Sequence, residues 1–130
     1  MRFTPSRAGS LTAVRFYKAS TNTGTHVVHV WSATGTLLAT VTATGETASG
    51  WQTVPLPSAL ALTAGTTYVA SYRAPVGHYA ADSGYFTTSR TVGPLTAPAT
   101  GNGVYTYGAN GTFPSSTYQS SNYWVDVVFS

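Results

Sequence analysis

Only three acidic side chains, Glu46, Asp82 and Asp126, are available in this 130-residue chain for catalysis or for binding a cation. A glycosidase needs two carboxylates across the scissile bond, and three acids permit such a pair by number alone. The surrounding sequence does not favour one, because Glu46 stands in a turn beside loop amides and Asp126 in an apolar strand that suits a structural hydrogen bond. We expect no enzymatic activity. The same three carboxylates are the candidate ligands of a structural calcium ion, the one cofactor that the sequence suggests.

The three histidines do not form an evident metal site. His26 and His29 are three residues apart, which in a strand directs them to opposite faces. They are therefore unsuited to sharing one ion. We expect a hydrogen-bonded His26 in the core and His78 at the surface.

Lys18 is the single lysine and raises the question of an isopeptide crosslink. Such a crosslink needs a buried lysine next to an asparagine and a carboxylate, which Asn122 with Asp126 or Glu46 could supply. Because Lys18 ends a predicted strand, a solvated amine is the simpler expectation.

Aromatic side chains give the clearest indication of a ligand. Seven of them lie between residues 75 and 121, a stretch rich in Gly, Ser and Thr with few strand signals. Sugar rings stack on Tyr and Trp while neighbouring amides and guanidinium groups bind the hydroxyls, which is the general design of a ligand site. The candidate ligand-binding residues are Tyr79, Tyr85, Tyr105, Tyr107, Tyr118 and Asn102.

Two other interpretations of the aromatics remain open. The loop tyrosines would have a structural rather than a binding role if their rings covered the core and only their hydroxyls reached water. Trp31, Trp51 and Trp124 lie in predicted strands, so we expect them in the core.

The elements that must position these side chains are short strands. β-branched and aromatic runs recur between Gly, Pro, Asn and Ser turns, without a helical period. This predicts an all-β fold, a mostly antiparallel β-sandwich of jelly-roll type with a long aromatic-rich loop region. The predicted strands are 11–18, 25–33, 37–43, 51–56 (ended by Pro55 and Pro57), 67–73 and 123–129, with weaker ones at Phe3, 79–86 and 104–107.

Composition restricts the class of protein. Charged residues make up 7% of the chain and the net charge is +3, which is too sparse a basic surface to predict nucleic-acid binding. There are no cysteines, which excludes disulfides and thiolate metal sites. No apolar run is long enough to cross a membrane. We expect one domain over residues 1–130, excised from a larger protein.

Seven motifs, spread over nearly the whole chain, resemble the DUF4082 family, a bacterial domain of unknown function. The resemblance implies an extracellular accessory module of a large secreted protein with neighbouring carbohydrate-active and Ig-like domains. It assigns no functional residue. The motifs are RFYK (15–18), NTGTH (22–26), WS (31–32), ETASGWQ (46–52), AGTTYVASY (64–72), NGVY (102–105) and NYWVDVVF (122–129).

Two functions are compatible with these observations. The first is a non-catalytic module that binds a polysaccharide through the loop aromatics. The second is a structural or adhesive spacer that mediates protein or cell-surface contacts. Loop tyrosines buried over the core would favour the spacer, whereas an aromatic-lined groove would favour binding.

Overall fold

The computed structural model of the chain describes residues 1–99 and 101–130. Within these residues the chain forms eleven strands and no helix, which confirms the predicted all-β class. Consequently no described helix is long and apolar enough to cross a membrane. The strands are β1 (Arg2–Pro5), β2 (Gly9–Lys18), β3 (Val27–Ser32), β4 (Leu37–Thr42), β5 (Gly50–Leu62), β6 (Tyr68–Arg73), β7 (Arg90–Val92), β8 (Leu95–Ala97), β9 (Val104–Tyr105), β10 (Ser116–Thr117) and β11 (Val125–Phe129).

Two larger antiparallel sheets carry the fold. One has six strands in the order β4-β3-β6-β1-β8-β7, and the other has three in the order β11-β2-β5. A short hairpin of β9 and β10 lies in the loop region. The arrangement agrees with the predicted β-sandwich.

The main core draws apolar side chains from both larger sheets, as a sandwich requires. Val14 and Phe16 of β2 contribute from the three-stranded sheet, and Val28 and Val30 of β3 from the six-stranded sheet. Strand alternation explains this choice, since every second residue faces the core. The intervening residues of β2, Arg15 and Tyr17, therefore point away from it.

Strand β5 is longer than predicted. Pro55 and Pro57 were expected to end it near residue 56, but the strand continues to Leu62. Because β5 is an edge strand of its sheet, it has one side that needs no hydrogen-bond donor, and proline is tolerated there.

The other differences lie near the loop region. The last strand begins at Val125 rather than at residue 123, because Trp124 has a left-handed backbone (φ 54°) that does not continue a strand. The weak strand predicted at 79–86 is wrong, since only Asp82 forms an isolated bridge there, with Asn122. Strands β7, β8 and β10, two or three residues each, were not predicted.

Candidate functional site

The loop region after β6 folds over the outer face of the six-stranded sheet. Trp31 of β3 and Val69 of β6, which point away from the main core, pack instead with Val104 and Phe113 of the loop region in a second apolar cluster. The Trp31 indole lies edge-on to the Phe113 ring, with 5.5 Å between ring centroids. This cluster attaches the loops to the sheet and so fixes their position.

Next to this cluster is a cavity of about 380 Å³. The sheet contributes outward-facing residues of β3 and β6, including His29, Ser71 and Arg73. The loops contribute four tyrosines, which we call the tyrosine cluster: Tyr79, Tyr105, Tyr107 and Tyr123.

Edge-to-face contacts hold the tyrosine cluster together. The Tyr79 and Tyr123 rings have centroids 5.5 Å apart, those of Tyr105 and Tyr123 are 6.0 Å apart, and those of Tyr105 and Tyr107 are 5.6 Å apart. The hydroxyls of Tyr79 and Tyr107 are 3.5 Å apart, and 42% and 80% of these two side chains are exposed. The cluster thus presents ring surfaces and hydroxyls to an incoming molecule.

In the cavity, the pKa values of Tyr79, Tyr72 and His29 are displaced in the direction that favours the neutral form. The hydroxyl of Tyr107, together with partial burial, raises the pKa of Tyr79 to about 12. Burial likewise raises the pKa of Tyr72, which also lines the cavity, to about 12. Burial lowers the pKa of His29. At neutral pH the hydroxyls of Tyr79 and Tyr72 are therefore protonated and can donate as well as accept a hydrogen bond.

Asn102, a predicted ligand residue, also lines the cavity, but its side chain is fully buried. Its Nδ2 donates to the carbonyl oxygen of Arg2 at 2.6 Å, and its backbone oxygen accepts from the Arg2 amide at 3.1 Å. Among the described residues nothing donates to Asn102 Oδ1. Asn102 thus anchors the loop to β1 rather than presenting an exposed amide.

The other two predicted tyrosines do not line the cavity. Tyr118 is 56% exposed in the loop region. Tyr85 packs edge-on against Trp124, with ring centroids 5.3 Å apart. The structure therefore brings together Tyr79, Tyr105, Tyr107 and Asn102 but separates Tyr85 and Tyr118 from them.

The three carboxylates suggested for calcium each bind a different group. Glu46 Oε1 lies 2.7 Å from His26 Nδ1, Asp82 Oδ2 accepts from the Trp124 indole at 2.7 Å, and Asp126 Oδ1 accepts from its neighbour's amide at 2.8 Å. In the described part of the chain, no three His, Asp or Glu side chains are grouped closely enough to hold a metal ion. The three acids thus do not form the joint site suggested by the sequence.

Lys18 is not the solvated amine that was expected. It is buried, with its Nζ 3.3 Å from Glu46 Oε1 and donating to the Thr47 carbonyl oxygen at 3.0 Å. Asn122, which could have supplied the asparagine of an isopeptide crosslink, accepts from the Trp124 amide through Oδ1 at 2.7 Å. Glu46 was expected to bind loop amides and instead pairs with Lys18 and His26.

Comparison with known families agrees with the resemblance seen in the motifs. A profile of the family described as "Domain of unknown function (DUF4082)" matches residues 1–125. The chain belongs to the DUF4082 family. Neither a search of curated proteins nor a search of solved structures found a match to this DUF4082 domain.

The DUF4082 domain has a second set of clustered aromatics, on the outer side of the three-stranded sheet. Trp51 is 40% and Tyr17 41% exposed, and their rings meet edge-on at 5.7 Å. The Trp51 and Trp124 rings have centroids 6.4 Å apart, and Trp124 contacts Tyr85 in turn. We call Tyr17, Trp51, Trp124 and Tyr85 the outer aromatic face.

This face contradicts the expectation that all three tryptophans lie in the core, because only Trp31 is buried. A signal for it was present in the sequence. Along β5, Gln52 and Val54 are buried, whereas Thr53 and Pro55 are exposed. Trp51 lies on the same side of the strand as Thr53 and Pro55, so alternation directs it to solvent. Alternation along β2 likewise places Tyr17 opposite Phe16.

Proposed function

We propose that this domain is a non-catalytic accessory module that binds carbohydrate through the tyrosine cluster, as part of a secreted bacterial protein. The observation that carries the proposal is the cavity in which four tyrosines meet. Its volume of about 380 Å³ is at the small end of the range for ligand sites and suits a short stretch or the end of a glycan.

The chemistry of the lining supports a sugar. Tyrosine offers an apolar ring face for the C–H groups of a pyranose and a hydroxyl for its oxygen atoms. Edge-to-face packing within the tyrosine cluster restricts the rings, so less conformational entropy is lost on binding. Among the described residues that line the cavity, Arg73 has the only permanently charged side chain, so most of the polar groups that a glycan would meet are uncharged.

The placement of the loop tyrosines favours binding over the spacer function. A spacer needs no open aromatic cavity, yet Tyr107 is 80% exposed beside one. Glu46, Asp82 and Asp126 each bind a different group of the protein and do not form a carboxylate pair, which supports the non-catalytic part of the proposal.

A glycan array followed by native gels containing the polysaccharides that it identifies would test the proposal. Replacing Tyr107 or Tyr105 by Ala removes a ring from the cavity, and we expect each change to weaken binding by about tenfold. Tyr118→Ala is the matched control, because Tyr118 is an exposed loop tyrosine outside the cavity and should leave binding unchanged.

Two results would reject the proposal. One is that no neutral soluble or insoluble glycan binds the folded domain. The other is that Tyr105→Ala, Tyr107→Ala and Tyr118→Ala all behave like the parent protein.

A further inference from the structure

Two arginines lie on the rings of the outer aromatic face. The guanidinium carbon of Arg15 is 4.9 Å from the centroid of the Trp51 ring, and that of Arg90 is 4.3 Å from the Tyr85 centroid. Within residues 1–99 and 101–130 neither arginine forms an ion pair. Arg15 Nε is buried without a hydrogen-bond partner, so a ligand reaches Arg15 through its terminal nitrogens. A guanidinium stacked on a ring retains its in-plane donors. Both arginines therefore offer unused donors directly beside aromatic surface.

The two acids near this face are already engaged. Asp126 is directly opposite Arg15 in the pairing of β11 with β2, yet it accepts from the Val127 amide and forms no ion pair with Arg15. Asp82 accepts from the Trp124 indole. Among the described residues neither carboxylate forms an ion pair with Arg15 or Arg90, so the guanidinium donors are not taken up by a carboxylate of the protein.

Trp124 is held rigidly in this face. Its backbone is in the left-handed region, which is unfavourable for a bulky side chain. The Asn122 side chain accepts from its amide, and Asp82 accepts from its indole, each at 2.7 Å. Strain of this kind persists only where the surroundings support it, and it is concentrated at functional sites. The contacts fix the indole as part of a preformed surface.

We infer that the outer aromatic face binds a carboxylate-bearing polysaccharide. The exposed parts of Trp51 and Tyr17 pack against the sugar rings, and Arg15 and Arg90 bind the carboxylates through charge-assisted hydrogen bonds. The net charge of +3 favours an anionic ligand. This site is distinct from the tyrosine cluster, whose lining is mostly uncharged, and the inference does not depend on that proposal.

Native gels containing polygalacturonate test the inference, with its methyl ester as the matched neutral polymer. We expect the acid form to retard the domain and the ester not to do so. In titrations with an oligogalacturonate, Arg15→Gln and Arg90→Gln should each weaken binding by about tenfold. Trp51→Ala should do the same, and Trp51→Phe should retain part of the affinity, which separates a lost ring surface from a folding defect.

Arg7→Gln is the control for net charge. Arg7 is exposed and lies over the Phe129 ring at 5.0 Å, so its replacement removes an equivalent charge away from the outer aromatic face. We expect it to change the affinity less than twofold, as a charge far from the ligand does. Tyr107→Ala should leave polygalacturonate binding intact, whatever its effect on neutral glycans.

Several outcomes would overturn the inference. They are absence of retardation, equal retardation by acid and ester, and equal losses for Arg7→Gln and Arg90→Gln. Self-association in sedimentation that Trp51→Ala abolishes, without polygalacturonate binding, would instead identify the face as an interface between two copies of the chain.

Discussion

At the scale of single residues, Glu46 joins two basic side chains that are buried in the sandwich. Its Oε1 lies 3.3 Å from Lys18 Nζ and 2.7 Å from His26 Nδ1. The polar contacts continue from His26 Nε2 to Asn22 Oδ1 at 2.8 Å and from Asn22 Nδ2 to the Tyr72 hydroxyl at 3.4 Å. Burial of charge is tolerated only with such partners, so each member of this chain depends on the next.

Replacing Glu46 with Gln should therefore destabilise the domain strongly. The change leaves the buried Lys18 ammonium without a counter-charge, and breaking a buried pair in this way costs about 3 kcal/mol of unfolding free energy. Urea denaturation at neutral pH measures the difference. Asp126→Asn, which retains an acceptor oxygen and removes no ion pair, should change the unfolding free energy by less than about 1 kcal/mol. Similar values for the two variants would contradict a structural role for Glu46.

At the scale of elements, the contact of Asn102 with β1 determines how firmly the cavity loops are attached. Asn102→Ala removes the donor to the Arg2 carbonyl oxygen and should cost about 1–3 kcal/mol locally. Amide hydrogen exchange should then accelerate around Arg2 and Val104, while the amides of β2 and β11 in the other sheet remain protected. Uniform acceleration across both sheets would show instead that Asn102 supports the whole fold.

Alternation and turn residues were sufficient to predict the six main strands, because their inward residues form one core. These signals could not predict that the last strand begins after Trp124. The left-handed backbone of Trp124 is supported by hydrogen bonds to Asn122 and Asp82, and such contacts leave no mark in the alternation of a strand. Pro55 was misinterpreted because a proline permits a strand only at a sheet edge, and strand order is not visible in the sequence.

The candidate site was predictable only in part. The aromatic content of residues 75–121 indicated the region, and the cavity includes Tyr79, Tyr105 and Tyr107. Which tyrosines meet depends on how the loops fold over the sheet, and no local pattern separates Tyr107 from Tyr118. The outer aromatic face was not predicted, because a tryptophan within a strand suggests the core. Whether such a tryptophan faces the core or solvent depends on its place in the alternation of the strand.

At the scale of the whole molecule, tyrosine ionisation should limit stability in alkali. Burial raises the pKa of Tyr72 to about 12, against 10.0 for an ordinary tyrosine. The folded state therefore favours the neutral phenol, and the resulting stabilisation is complete below pH 10 and is lost as the pH rises from 10 towards 12. The loss is on the order of 2 kcal/mol.

Urea denaturation between pH 8 and pH 12 measures this effect, and absorbance at alkaline pH reports phenol ionisation. Tyr72→Phe should be less stable than the parent at pH 8, because Asn22 loses a partner, but its stability should depend less on pH above 10. Identical pH dependence of the two proteins would rule out Tyr72 as the source.

Tyr123 and Trp124 are consecutive in the chain, yet the first lines the cavity and the second belongs to the outer aromatic face. The left-handed turn at Trp124, held by Asn122 and Asp82, is thus one rigid segment shared by two surfaces. Thermodynamic reciprocity requires that any effect of a ligand on one surface upon affinity at the other be matched by an equal effect in the reverse direction.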